Sequence, residues 1–175
     1  MMLEHPRGLH ATTCRLPAVE ESRVSASDVE VIHLTIPSRL ELLPLVDQLA
    51  AGISERMEFD EESRAQISIS VLEAGTNAIQ HGNRVDPTKL VDMAFNLHPD
   101  RLEVVVKDRG HGFDLTKLTA DITSPDHLFD LRGRGIYMMR ECMDKVDFTF
   151  DPDGTTCRLV KARKPVGTNG SMSAA

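Results

Sequence analysis

The 175-residue chain has no tryptophan, a single tyrosine and only 4% aromatic residues, so a core must be built from aliphatic side chains and methionine. An apolar content of 41% is enough for that, and the size suits one domain rather than a disordered chain. Positive charge is also scarce. Lys and Arg number 20 against 27 Asp and Glu, a net charge of −7 that disfavours direct binding to nucleic acid, which demands neutralised phosphates. No apolar stretch approaches the roughly 20 residues of a bilayer span, and the N-terminus lacks a signal peptide's apolar run. No membrane association is expected. The three cysteines, Cys14, Cys142 and Cys157, follow no metal spacing and leave an odd number, which points to free thiols in a reducing compartment, the cytoplasm. Internal repeats are lacking as well.

What the chain does have is three ordered blocks. The first runs Glu73-Ala-Gly-Thr-Asn77-Ala-Ile-Gln-His81-Gly82-Asn83, and a helix of 3.6-residue period would place Glu73, Asn77 and His81 on one stripe. Ile67, Val71, Ala74 and Ala78 on one side, with Ile69, Leu72 and Ile79 on the other, suggest a buried helix in which polar residues have a task. Asn77 can offer a neutral oxygen to Mg²⁺, and Glu73 is placed to receive a proton. His81 is open between a local helix-end hydrogen bond and assistance to Glu73 or Asn77.

The second block is Asp108-Arg-Gly110-His-Gly112-Phe113. Leu102, Val104 and Val106 alternate with Glu103, Val105 and Lys107, so a strand of period two carries Asp108 onto the apolar face. An ionised aspartate there only accepts hydrogen bonds, and the exocyclic amine of adenine would donate one. Gly110 and Gly112 permit a tight turn and close approach of a ligand; taken alone, this pattern is equally a polar turn. The third block is Gly133-Arg-Gly135-Ile136, where Ile136, Met139 and Met143 describe an apolar helix face. The glycines then sit at a helix start whose free N–H groups suit a polyphosphate. Arg132 and Arg134 are open between phosphate contacts and solvated loop charges.

Elsewhere, Ile32, Leu34 and Ile36 predict a first strand, and Ser38 with Glu41 a capping box ahead of the helical stripe Leu42, Val46, Leu49 and Ile53. Pro44 implies that this helix kinks or begins later. Asp60, Glu61 and Glu62 form an acidic start to the Glu73 helix. The stretches 91–97 and 102–106 read as a hairpin, as do 146–150 and the strand through Val160 across Asp151-Pro-Asp-Gly154. The expected fold is α+β, a two-layer sandwich with helices on one face of a largely antiparallel sheet. Residues 1–28 read as a mobile leader or a partner-holding segment, 29–164 as the domain, and 165–175 as a loose tail. The apolar pattern fails between about 113 and 132, and a loop that long is expected to be a lid over the site.

In order and spacing the three blocks resemble the ATP-binding boxes of the GHKL fold shared by DNA gyrase and histidine kinases. Glu73 to Asn83 continuing into Asp86-Pro87, the short stretch from Phe113 to Arg132, and Gly133 through Asp144 are similar to the bacterial anti-sigma factor serine/threonine kinases. The resemblance spans about residues 29 to 163. It implies Glu73 as catalytic base, Asn77 as magnesium ligand and Asp108 as the adenine-binding aspartate. It also implies Gly110, Gly112, Gly133 and Gly135 as phosphate and lid glycines, and Gly154 with Thr155 and Thr156 as a closing Gly-Thr box beside adenine. His81, Arg132, Arg134 and Ile136 complete the expected nucleotide-binding set. The chain departs from some family members at Leu131, where they carry a phosphate-contacting arginine two residues before the first lid glycine; Arg132 is adjacent.

The implied activity is phosphoryl transfer from Mg·ATP to a serine or threonine of a STAS-type anti-anti-sigma protein. The implied second partner is a sigma factor, held inactive until a dephosphorylated antagonist displaces it, and the implied assembly is a homodimer. Two other readings use the same residues. One is a nucleotide-holding anti-sigma module without transfer, from which only Glu73 distinguishes a kinase. The other is a histidine kinase catalytic domain, opposed by the lack of a phosphoacceptor hairpin before residue 29 and of a Phe-rich lid box.

Overall fold

The computed structural model describes residues 29–110 and 131–164, so the proposed leader and tail and the lid segment up to residue 130, along with Cys14 and Gly112, lie outside the described residues. Five strands form one sheet: β1 (Glu30–Pro37), β2 (Leu90–Leu97), β3 (Arg101–Lys107), β4 (Lys145–Asp151) and β5 (Gly154–Ala162), in the order β1-β2-β3-β5-β4. Every pairing is antiparallel. Among the described residues, three α-helices cover one face: α1 (Leu43–Arg56), α2 (Glu61–Asn77) and α3 (Leu131–Cys142). The two-layer α+β architecture is the one expected.

Period-two alternation builds the interface. Val91, Met93, Phe95 and Leu97 of β2, Leu102, Val104 and Val106 of β3, and Cys157 and Leu159 of β5 are buried toward the helices. Val46, Ala50 and Ile53 of α1, Ile67, Val71 and Ala74 of α2, and Ile136 and Met139 of α3 meet them. Each large aliphatic side chain fully withdrawn from water here stabilises the fold by about 1.5–3 kcal/mol. The opposite face carries Thr35, Asp92, Lys107, Thr156 and Thr149 in one row.

The helix ends follow from local chemistry, with two departures from expectation. Asp60 caps α2 by accepting from the Ser63 N–H at 2.6 Å, which holds its carboxyl below the usual aspartate range. Ser38 does not cap anything. It is fully buried, donates to the Lys89 carbonyl at 3.0 Å and accepts from Asn83, so a long-range bond displaces the local capping box. A short 3₁₀ turn, Leu40–Leu42, intervenes, and α1 begins at Leu43 with Pro44 in its first turn, where a missing N–H is harmless. The second departure concerns α2: Ile69 is exposed, so the helix is not apolar all round.

Helix α2 lies between α1 and α3 and sets the position of both. The ammonium of Lys161, buried at the end of β5, donates to the Gln66 side chain of α2 at 2.6 Å and to the Cys142 carbonyl of α3 at 2.7 Å. A cation at a helix C-terminus satisfies an orphan carbonyl and suits the helix dipole, so Lys161 anchors the far end of α3 to α2.

Candidate functional site

Asp108 follows Leu102, Val104 and Val106 on the helix-facing side of β3, and only 3% of it is exposed. Its Oδ1 accepts from the backbone N–H groups of Gly110 at 2.8 Å and Thr155 at 3.1 Å. Its own N–H donates to the Thr155 carbonyl at 3.0 Å. A buried carboxylate needs such donors, and both of these converge on one oxygen while Oδ2 faces the Cα of Gly82. A Cβ at Gly82 would overlap that carboxyl, and one at Gly110 would overlap the Gly82 carbonyl. The end of the first block and the turn of the second thus meet backbone against carboxylate, which only glycine allows.

What brings Gly82 there is a change of helix type. The α-helix ends at Asn77 and continues as one π turn, Ala78–Gly82, closed by the Asn83 N–H on the Ala78 carbonyl at 2.8 Å. The Val85 N–H reaches the Ile79 carbonyl at 2.8 Å, and Arg84 and Val85 follow with φ of 57° each. Bonds to i+5 widen the turn, so the 3.6-residue stripe expected to carry His81 above Asn77 stops at Asn77. His81 is half-buried on the wider turn.

Asn83 closes that turn and is 1% exposed. Its Nδ2 donates to Ser38 Oγ at 2.7 Å and to the Leu90 carbonyl at 2.9 Å, while its Oδ1 accepts from the Arg109 N–H at 2.8 Å. Neither Gly82 nor Asn83 stood out as a site residue from sequence. Their readable signal was the Gly-Asn pair breaking a helix directly ahead of the Asp86-Pro87 turn.

One turn before the π segment, Glu73 and Asn77 are half-buried on α2 and face α3. A Cβ at Gly135 would lie 2.5 Å from Glu73 Oε2 and 3.9 Å from Asn77 Nδ2, so α3 approaches the Glu73 carboxylate across a glycine. Asn77 Nδ2 is buried with no hydrogen-bond partner among the described residues, and so is Thr155 Oγ1. Unpaired buried polar atoms are costly and rare, and here one lies in each half of the site.

The remaining expected residues divide. Leu131, Arg132, Gly133 and Arg134 make the first turn of α3, whose N–H groups have no partner within the helix. Arg134 is exposed, whereas the Ile136 side chain, at 4% exposure, is in the core and holds the helix down with Met139 and Met143. Thr155 reaches Asp108 through its backbone, but strand alternation puts the Thr156 side chain on the opposite sheet face, paired with Lys107 and Thr149. Burial pushes the Cys157 thiol up to about 12, which leaves it without thiolate character at neutral pH.

The Glu73 carboxylate and the Asn77 amide facing the start of α3, with the buried acceptor Asp108 beyond the π turn, are groups that suit a purine polyphosphate. The comparisons with known proteins agree. The family model described as "Histidine kinase-like ATPase domain" matches residues 36–161. The chain is 31% identical over 137 residues to a serine-protein kinase RsbW of Bacillus licheniformis, covering 75% of this chain and 85% of that protein. It is 32% identical over 141 residues to the RsbW of Bacillus velezensis, covering 78% and 88%. Among solved structures, the RsbU and RsbW domains of a Mycobacterium tuberculosis protein match with a TM-score of 0.57 at 18% identity. That match covers 78% of this chain and 33% of the other, and it bears on the fold alone. The chain belongs to the histidine kinase-like, or GHKL, ATPase family, within its anti-sigma factor serine/threonine-protein kinase branch.

Proposed function

We propose that this chain is an ATP-dependent kinase that phosphorylates a serine or threonine of a STAS-type anti-anti-sigma protein and otherwise holds a sigma factor inactive. The observation that carries the reading is Gly135 of α3 set against Glu73 and Asn77, with Asn77 Nδ2 buried and unpartnered among the described residues. The relatives' name, serine-protein kinase, supports it. A cytoplasmic homodimer is the setting we assign.

Bound Mg·ATP supplies the phosphoryl group and the counter-charge for transfer. Asp108, with Oδ1 already committed to two backbone donors, accepts the exocyclic amine of adenine on its remaining lone pairs. Thr155 Oγ1, buried and unpaired beside it, gains a partner at the same end. Asn77 would offer its amide oxygen to the cation. Among the described residues no cluster of His, Cys, Asp and Glu gathers to hold a metal, so the cation would rest on Asn77, phosphate oxygens and water, the usual arrangement for magnesium. Gly133 and Gly135, at the start of α3, would leave its N–H groups open to the phosphates, and Arg132 and Arg134 would add charge.

Glu73 takes the proton of the acceptor hydroxyl as its oxygen bonds to phosphorus and the bond to the leaving diphosphate breaks. Loss of a positioned base costs about 10²–10⁴-fold in rate. Single-turnover phosphorylation of a purified STAS-type antagonist at saturating Mg·ATP is therefore expected to fall by that factor in Glu73→Ala, with ATP and sigma-factor binding retained. Equal transfer by both proteins removes Glu73 from the mechanism. No transfer by wild type, with sigma binding intact, replaces the kinase by a sequestering module.

A further inference from the structure

The Asn83 side chain uses both its donors and its oxygen, and none of these side-chain bonds stays within its own helix. From the end of the π turn it reaches the end of β1 through Ser38, the start of β2 through Leu90, and the turn after β3 through Arg109. An amide has two donors and one carbonyl oxygen, and here both donors and the oxygen are used in a position that is 1% exposed. A purely structural bridge between β1 and β2 would need only the donors. The oxygen does something separate: it holds the N–H of the residue directly after Asp108.

That bond completes a frame around Asp108. The peptide before it is fixed by its N–H on the Thr155 carbonyl, the carboxylate is fixed by Gly110 and Thr155, and the peptide after it is fixed by Asn83. Gly82, which precedes Asn83, packs on the carboxylate itself. We infer that Asn83 is a positioning residue for base selectivity: through Arg109 N–H it sets the direction in which Asp108 presents its free lone pairs, and so the preference for a purine bearing an exocyclic amine. The inference rests on Asp108 as the adenine acceptor and goes beyond it by naming what aims that acceptor.

Inosine triphosphate is the probe, because it keeps the purine frame and the triphosphate but replaces the exocyclic amine by a carbonyl, which an ionised Asp108 repels. Calorimetry on the full chain with Mg²⁺ gives the ratio of the two affinities. For wild type, ATP is favoured on the order of tenfold to a hundredfold, the worth of one hydrogen bond to a charged group. Asn83→Ala, and Asn83→Ser whose hydroxyl cannot span to Arg109, are expected to lose most of that ratio while keeping the gain in affinity from added Mg²⁺. Ser38→Ala removes a partner of Nδ2 and leaves the Oδ1 bond intact, so it lowers the melting temperature without moving the ratio. A structural role alone gives the reverse: all three variants melt early and all keep the wild-type ratio, which overturns the inference.

Asp108→Asn, measured alongside, separates the two levels. If it keeps the full ratio, the adenine reading itself fails. If it loses the ratio while the Asn83 variants keep it, only the positioning role fails. Should neither Asn83 variant fold, amide exchange on the wild-type chain decides: the Arg109 N–H is expected to exchange as slowly as the amides of β3, and fast exchange overturns the inference.

Discussion

The two halves of the site are built to opposite rules. Around Asp108 the backbone is closed, and only the Thr155 hydroxyl is left without a partner among the described residues: two N–H groups meet Oδ1, Asn83 and Thr155 fix the adjacent peptides, and Gly82 packs against the carboxyl. Around Glu73 and Asn77, the side chains are half-buried, Asn77 Nδ2 has no partner among the described residues, and α3 stands off by the width of a missing Cβ. Both halves hang on one continuous stretch, residues 73–82, whose change from α to π turn separates them. The difference teaches that this fold prepares the Asp108 end in advance and leaves the Glu73 and Asn77 end open; on the proposed function, the first would receive the base and the second would be completed by what binds. Preorganised acceptors cost nothing to arrange on binding, whereas a loosely tied end can still adjust to what it meets.

The sharpest way to break the contrast is to disturb the closed half. In Gly110→Ala the new methyl overlaps the Gly82 carbonyl, backbone against backbone, with no flexible side chain to yield. Overpacking of this kind costs about 1–3 kcal/mol. A lower melting temperature and loss of measurable ATP binding are expected; wild-type affinity would show that the close approach is not needed.

The open half should respond differently to the same kind of change. Gly135→Ala places its methyl 2.5 Å from Glu73 Oε2, the end of a side chain that can move aside. The fold and ATP affinity should survive, while phosphoryl transfer drops by up to about 10²-fold, the cost of misplacing a reacting group by an ångström. Unchanged transfer with displaced Glu73 would mean that its position is not critical.

The smallest effect is expected away from both halves, on the open sheet face. Hydrogen bonding to Arg158 holds the Glu103 carboxyl below its usual range, and Thr35 with Arg109 does the same for Asp92. A depressed folded-state value means stability that is present above the ordinary carboxylate range and is lost as pH falls through and below it. Thermal melts should therefore decline modestly on acidification below about pH 4, and Glu103→Gln should flatten part of that decline. An identical acid profile in Glu103→Gln would remove that pair from the account.

Much of the closed half was legible because it follows from strand parity. Leu102, Val104 and Val106 pointed Asp108 inward, and Asp60 announced the start of α2. The π turn was not legible: Ala78 to His81 have ordinary helical propensity, and Gly82 with Asn83 signals that the helix ends but not that its last turn widens. Ser38 misled for a related reason, since its local capping pattern was overridden by Lys89 and Asn83, far away in sequence. Thr156 could have been placed by the same alternation that placed Asp108, because Thr155, Cys157 and Leu159 mark the inward face of β5. Lys161 falls on that inward face too, a cation where parity predicts an apolar residue, and it is buried there because Gln66 and the end of α3, far away in sequence, accept its hydrogen bonds.

The contrast between the halves is tested most directly by titrating ATP into Asp108→Asn and Asn77→Ala, each with and without Mg²⁺. Asp108→Asn is expected to lose on the order of tenfold to a hundredfold in affinity, equally in both conditions, because its contact is to the base. Asn77→Ala should match wild type without the metal and fail to gain affinity when it is added. If both variants lose the same share in both conditions, the two halves are one undivided site and the account is wrong.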